Sequence, residues 1–197
     1  MLVLPPFSHQ CGVDILTSPR FAAAFDEFRD VLGALPCYRA PHAKQMSAAH
    51  VVAPAAMNDW LTYELCTRRD WEWHPLTDGR GAQLRSDFRK ARIEVEVQFG
   101  NIARYAYDLV KMGIAIARER AEVGLLVVPT RRFADVIGSN LAHFERVVRE
   151  VRLMPLAIPL VVLGIEPECW DVRTYPAADE APRPRRATGR QLVLLSR

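Results

Sequence analysis

Two carboxylates and an amide recur at every second position between residues 92 and 99, and it is there that this chain could do chemistry. Arg92, Glu94, Glu96 and Gln98 alternate with Ile93, Val95, Val97 and Phe99. Such alternation, rich in β-branched residues, predicts a strand with one apolar face. The other face sets like charges two residues apart, where they repel, and glutamate is a poor strand former. An acidic face exposed to water would tolerate this with no further role. A divalent cation would offset the repulsion directly. Asp87 lies just upstream, across a short turn-like segment at residues 89–92. An Asp on one strand and Glu-x-Gln on the next can set three oxygen-bearing side chains around one point. Hard cations such as Mg²⁺ are held by one or two carboxylates, completed by water and substrate phosphate.

The surrounding elements must hold those side chains in place. Ser18-Pro19 opens a helix with Phe21, Phe25, Phe28, Val31, Leu32 and Leu35 on its apolar face, closed by Pro36. A second helix is predicted from about residue 54 to 68, and residues 36–53 between them read as loop. After Trp71, Glu72, Trp73 and His74, the composition at residues 77–81 predicts a turn before the acidic hairpin. A long helix should then run from about residue 102 to 120, burying Ile102, Tyr105, Ala106, Leu109, Met112, Gly113 and Ile116. Residues 122–129, which contain the apolar run 123–128, and residues 158–165 read as strands of the fully buried kind. Between them Ser139 should cap a helix reaching about residue 153. The order of strands and helices predicts an α/β domain with a mixed central sheet flanked by helices. Residues 1–18 are broken by prolines and suit an edge strand or a packed arm.

The bulk properties exclude several classes of protein. With 197 residues, half of them hydrophobic, the chain fits one globular domain with a substantial core. Its core falls at about residues 54–170, followed by a basic Pro/Arg-rich loop at about residues 176–190 and a last strand at 191–195. No apolar run is long enough to span a membrane, and Met1 to Pro6 lack the features of a signal peptide, so a cytoplasmic location is expected. Cys11, Cys37, Cys66 and Cys169 are far apart, and the five histidines are scattered, so neither set has zinc-ligand spacing. A net charge of +3 does not by itself argue for nucleic acid. The positive residues are nearly all arginine, however, which binds phosphate and guanine edges bidentately. A GC-rich genome would give the same bias.

Asp87, eight intervening residues, then Glu96-Val97-Gln98-Phe99 and Asn101 resemble the active-site segment of the BglII restriction endonuclease family. That family is a branch of the PD-(D/E)XK nucleases with Gln where most members have Lys. Gly138-Ser139-Asn140-Leu141, the strand Ile158 to Glu166, and Asn58-Asp59-Trp60-Leu61 with Glu64-Leu65 are also similar to it. The resemblance spans roughly residues 58 to 166. It implies a restriction-endonuclease-like fold and a type II enzyme that hydrolyses double-stranded DNA at a short palindromic site, with Mg²⁺, as a homodimer. Asp87, Glu96 and the main-chain carbonyl of Val97 would hold the metal, and Gln98 would orient the attacking water or a phosphate oxygen. Glu94 shares the face of Glu96 and rivals it. Glu72 is the candidate fourth acid, with His74 competing for that place.

Asn101 matches a base-contacting asparagine of the family, and Ser139 and Asn140 fall where relatives touch bases; Asn101 and Ser139 could instead only cap their helices. Arg104, with Arg131 or Arg132, is a candidate phosphate ligand, and the first helix or the one after Asn101 is a candidate dimer face. A cognate DNA methyltransferase would be encoded nearby. The alternatives are a repair or structure-specific nuclease of the same superfamily, and a DNA-binding module that has lost catalysis.

Overall fold

A computed structural model describes residues 1–41, 51–78 and 83–182. Among the described residues seven strands form one mixed sheet in the order β1 (Leu2–Val3), β7 (Leu160–Glu166), β6 (Val123–Pro129), β5 (Ile93–Val97), β4 (Phe88–Lys90) and β3 (Glu72–Trp73), with β2 (Phe7–His9) also paired to β7. Its centre is β5 (Ile93–Val97), β6 (Val123–Pro129) and β7 (Leu160–Glu166), mutually parallel. On one side, β4 (Phe88–Lys90) and β3 (Glu72–Trp73) add antiparallel; on the other, β1 (Leu2–Val3) and β2 (Phe7–His9) add antiparallel to β7. The N-terminal segment thus covers the edge of the buried β7 ladder, which would otherwise leave unpaired backbone groups.

Among the described residues six α-helices flank the sheet: α1 (Gly12–Leu16), α2 (Ala22–Ala34), α3 (Pro54–Thr62), α4 (Ala103–Ala117), α5 (Arg131–Ile137) and α6 (Phe144–Val151). They divide the core in two. On one face α2 and α3 pack Phe25, Phe28, Leu32, Met57 and Leu61 against Val95, Val97, Leu125 and Val127. On the other, α4 and α6 pack Tyr105, Leu109, Met112, Val147 and Val151 against Leu126, Val128, Leu160 and Val162. Residue parity along β5 assigns its apolar side chains to the first layer and its polar ones to the second. Gly124 makes the close approach of α4 possible, since a Cβ there would meet the Met112 sulfur at 2.6 Å.

The structure departs from the expected elements in three places. The helix expected from Ser139 begins only at Phe144, and a separate helix, α5, precedes it, capped by Thr130, whose Oγ1 accepts the Phe133 N–H at 3.2 Å. The β4–β5 connection is tighter than a four-residue turn. Ala91 and Arg92 form it alone, both with positive φ (48° and 66°), as a two-residue hairpin with a primed turn requires. Finally, α3 runs into a single π turn at Tyr63–Thr67, in which Glu64 pairs with Arg68 and Arg69. The 176–190 loop is described only to residue 182, and its start pairs with Arg39 at Ala177; its arginines and the expected last strand lie outside the described residues.

Candidate active site

The hairpin pairs Phe88 with Val95 and Arg89 with Glu94. Continuing that register sets Asp87 opposite Glu96, on the same sheet face, where the parallel strands end. Asp87 Oδ2 accepts the Val97 N–H at 2.8 Å, fixing the aspartate across the end of β5. The polar face of β5 is not exposed. Glu94, Glu96 and Gln98 are 0%, 2% and 9% accessible, because α4 lies over them.

Two glutamates of that face meet different partners. Glu94 is enclosed: Arg89 donates to it from Nε at 2.6 Å and from a terminal nitrogen at 3.1 Å, and Ser86 donates its hydroxyl as well. Glu96 faces Lys111 of α4, whose Nζ is 2.5 Å from Oε1. Yet among the described residues this buried Oε1 accepts no well-aligned hydrogen bond. Lys111 also lies 3.0 Å from Asp108 Oδ1 and donates to the Arg85 carbonyl at 3.1 Å. The Gln98 amide is held at both ends. Nε2 donates to Asp108 Oδ2 at 2.7 Å, and Oε1 accepts the Gly100 N–H at 2.7 Å. These two partners fix which end of the amide is which, and one N–H and one lone pair are left over.

Glu96 and Asp108 therefore share one buried ammonium, with Asp87 opposite Glu96 beside them. Burial pushes the Glu96 carboxyl up to about 9, with the charges of Asp87 and Asp108 adding to it and Lys111 opposing. Burial also raises Asp87, against the Val97 N–H and Lys111. Desolvation works against the Lys111 ammonium, but Glu96 and Asp108 outweigh it and hold its pKa above the usual lysine value. Among the described residues no three His, Cys, Asp or Glu side chains form a ready-made metal cage. The arrangement still suits a hard cation, which needs only one or two carboxylates, and it includes a buried carboxylate oxygen with no aligned partner.

Asp87, Glu96, Val97 and Gln98 are thus brought to one place. Glu72 is not: on the outermost strand it is largely exposed, and its carboxylate lies 3.6 Å from Arg89. A β3–β4 pairing that sets Glu72 opposite Arg89 carries it away from the acids. His74 is the nearer rival. Its N–H donates to the Asp87 carbonyl at 3.0 Å and its ring interacts with the Asp87 charge, from a backbone with φ 50°.

Sequence reasoning missed Asp108 and Lys111. Their signal was a charged pair spaced i, i+3 among Tyr105, Leu109 and Met112, positions where a helix turns toward the core.

The remaining candidates line the rim. Asn101 bridges to Leu141, and Ile102 N–H donates to the Asn140 carbonyl at 2.9 Å, so the two predicted loops join beside the end of β5. Asn101 is exposed, and its Oδ1 accepts the Ala103 N–H at 2.9 Å. Ser139 and Asn140 are exposed, as is Arg104. Ser139 caps no helix, since His143 stands at the start of α6. Arg131 and Arg132 open α5, with Arg132 stacked 3.9 Å over Trp170.

Comparison with solved structures places the fold in the restriction endonuclease class. The crystal structure of restriction endonuclease BglII complexed with a DNA 16-mer superimposes with a TM-score of 0.69 over 86% of this chain and 79% of that one, at 16% identity. Free BglII gives a TM-score of 0.62, covering 85% and 81%, at 15% identity. No curated protein matches in sequence. The sequence model of the restriction endonuclease BglII/BglIII family matches residues 6–165. The chain belongs to that family, and is by that membership a site-specific deoxyribonuclease.

Proposed function

We propose that this protein is a type II enzyme that cuts double-stranded DNA at a short palindromic site with Mg²⁺ as cofactor, working as a homodimer. The observation that carries the reading is the convergence of a buried Glu96 and a half-buried Asp87, opposite each other across the hairpin at the end of the parallel strands. Carboxyl ends of parallel strands are where sheets of this kind bind ligands.

Asp87, Glu96 and the Val97 carbonyl would hold the ion, which when bound lowers the pKa of the attacking water and neutralises the scissile phosphate. The chain's own groups do the rest. The backbone N–H of Val97 and the turn at Gly100 hold Asp87 and Gln98 in place. Gln98 cannot accept a proton at neutral pH, so its spare N–H and lone pair orient the water or a phosphate oxygen. The water's proton then leaves to solvent or to a DNA phosphate.

Asn101, Ser139 and Asn140 at the adjoining rim loops are suited to reading base edges in the major groove, and Arg104 to contacting phosphate. The Asn101 turn is compatible with that role, because its capping bond engages only one lone pair.

Support for the homodimer comes from α4. Its outer face carries Ala103, Ala106, Tyr107, Val110 and Ala117, with Tyr107 and Val110 more than half exposed. Exposed α2 positions are instead Ala23, Asp26, Arg29, Asp30 and Ala34, with no large apolar side chain among them. An apolar stripe on one helix and a charged one on the other favour α4 as the covered face. Two-fold pairing would match a palindrome with one site for each strand. Val110→Glu is expected to convert a dimer to a monomer in sedimentation equilibrium; a wild type that sediments as a monomer removes this part of the proposal.

The decisive experiment incubates the purified protein with plasmid and phage DNA in Mg²⁺ or in EDTA. Discrete fragments in Mg²⁺ alone are expected. Smears, or tight binding with no cutting, would overturn the proposal.

A further inference from the structure

We propose that Lys111, anchored by Asp108 on α4, is the resident counter-ion of this site: it occupies Glu96 while the acids hold no divalent ion and is released when one binds. The inference rests on the nuclease reading and extends it to two residues on α4. The first ground is charge. With all three ionised, as metal binding requires, Asp87, Glu96 and Asp108 contribute three negative charges against the one ammonium of Lys111, which touches two of them. One divalent cation added to this set brings its formal charge to zero, whereas the lysine alone leaves it short.

The second ground is geometry. Lys111 Nζ is 2.5 Å from Glu96 Oε1, yet that oxygen accepts no well-aligned hydrogen bond among the described residues. The contact is a close ammonium–carboxylate pair, and it is the one a harder, doubly charged ion would replace. The lysine's other two contacts, to Asp108 Oδ1 at 3.0 Å and to the Arg85 carbonyl at 3.1 Å, do not involve Glu96 and would persist. Lysine suits the role, being a compact point charge on a flexible four-carbon stem. Asp108 does a second job at the same time, since its other oxygen holds Gln98. It thereby links the lysine to the amide that faces the reaction. Lys111 is accordingly a positioning residue that sets how readily Glu96 takes up a metal.

The test measures metal binding in the absence of DNA, by titration calorimetry of the full-length protein with Ca²⁺ and Mn²⁺. Lys111→Met should bind Ca²⁺ at least tenfold more tightly than wild type, while Lys111→Arg, which keeps the charge, should stay within about threefold of it. A folded Lys111→Met that binds Ca²⁺ equally or more weakly overturns the inference. Wild type offers a route that needs no variant: in crystals soaked with Mn²⁺, Lys111 Nζ should have moved beyond hydrogen-bond distance of Glu96. A lysine still on Glu96 beside a bound Mn²⁺ would also overturn it. Wild type that binds neither ion and leaves plasmid uncut overturns the nuclease reading itself. Cleavage by wild type together with unaltered affinity in Lys111→Met removes only the role of Lys111.

Discussion

Glu94 and Glu96 stand two residues apart on the same face of one strand, both buried under α4, and the protein treats them in opposite ways. Glu94 is closed off by a two-point guanidinium contact from Arg89 and by the Ser86 hydroxyl. Its charge is balanced and its oxygens are occupied, so it holds the hairpin and has nothing left for a ligand. Glu96 shares one ammonium with Asp108, faces Asp87, and keeps an oxygen without an aligned partner. Burial alone therefore does not mark a functional acid. What separates the two is an excess of negative charge that the fold itself leaves uncompensated.

The largest test of this contrast is catalytic. Asp87→Ala or Glu96→Ala should lower plasmid cleavage by about a thousandfold or more, since a metal site supplies several kcal/mol of the rate enhancement, with DNA binding retained in gel-shift assays. Should Glu94→Ala be folded and inactive while Glu96→Ala still cuts, the roles of the two glutamates are reversed.

A second expectation concerns stability. Glu94→Ala strands the buried Arg89 and should cost about 3–5 kcal/mol in urea unfolding. A loss near zero would mean that Arg89 finds another partner and that the Glu94 cluster is not the structural one.

The pH dependence should separate the acids further. Glu96 is raised from 4.5 to about 9 in the folded chain, so as pH rises through that interval the unfolded state loses its proton first. Without metal, folding stability should therefore fall between those values, and Glu96→Gln should flatten the fall. At pH 8 in EDTA, Glu96→Gln should be more stable than wild type by about 1–3 kcal/mol, a difference that saturating Ca²⁺ diminishes or reverses. Equal pH profiles for the two proteins would show that Lys111 already compensates Glu96 fully.

The smallest effect belongs to Glu72. Exposed and only loosely paired with Arg89, it should change stability by about 0.5 kcal/mol or less when replaced by alanine, and cleavage within a fewfold. A large loss of cleavage would mean that β3 shifts when DNA is bound.

Much of the molecule was legible in the sequence because its signals are local. Alternation over residues 92–99, the apolar runs that became β6 and β7, and the Pro-bounded helices α2 and α3 each follow from the periodicity of one segment. Asp87 and Glu96 were legible too, since a hairpin converts a sequence interval into a cross-strand neighbour. Element boundaries near the 130–144 stretch were not, because Thr130 and His143 stand at the helix starts there while Ser139, a favourable capping residue, caps none.

By itself, then, the sequence determined the class of fold, the strand that bears the acids, and the pair of carboxylates that could share an ion. Only the tertiary structure decided which glutamate is spent on holding the hairpin, that Glu72 lies away from the acids, and that an aspartate and a lysine from α4 complete the cluster. The reason is range. Charge balance inside a protein depends on groups brought together from distant segments, and α4 reaches the face of β5 through packing that no local pattern around residue 96 encodes.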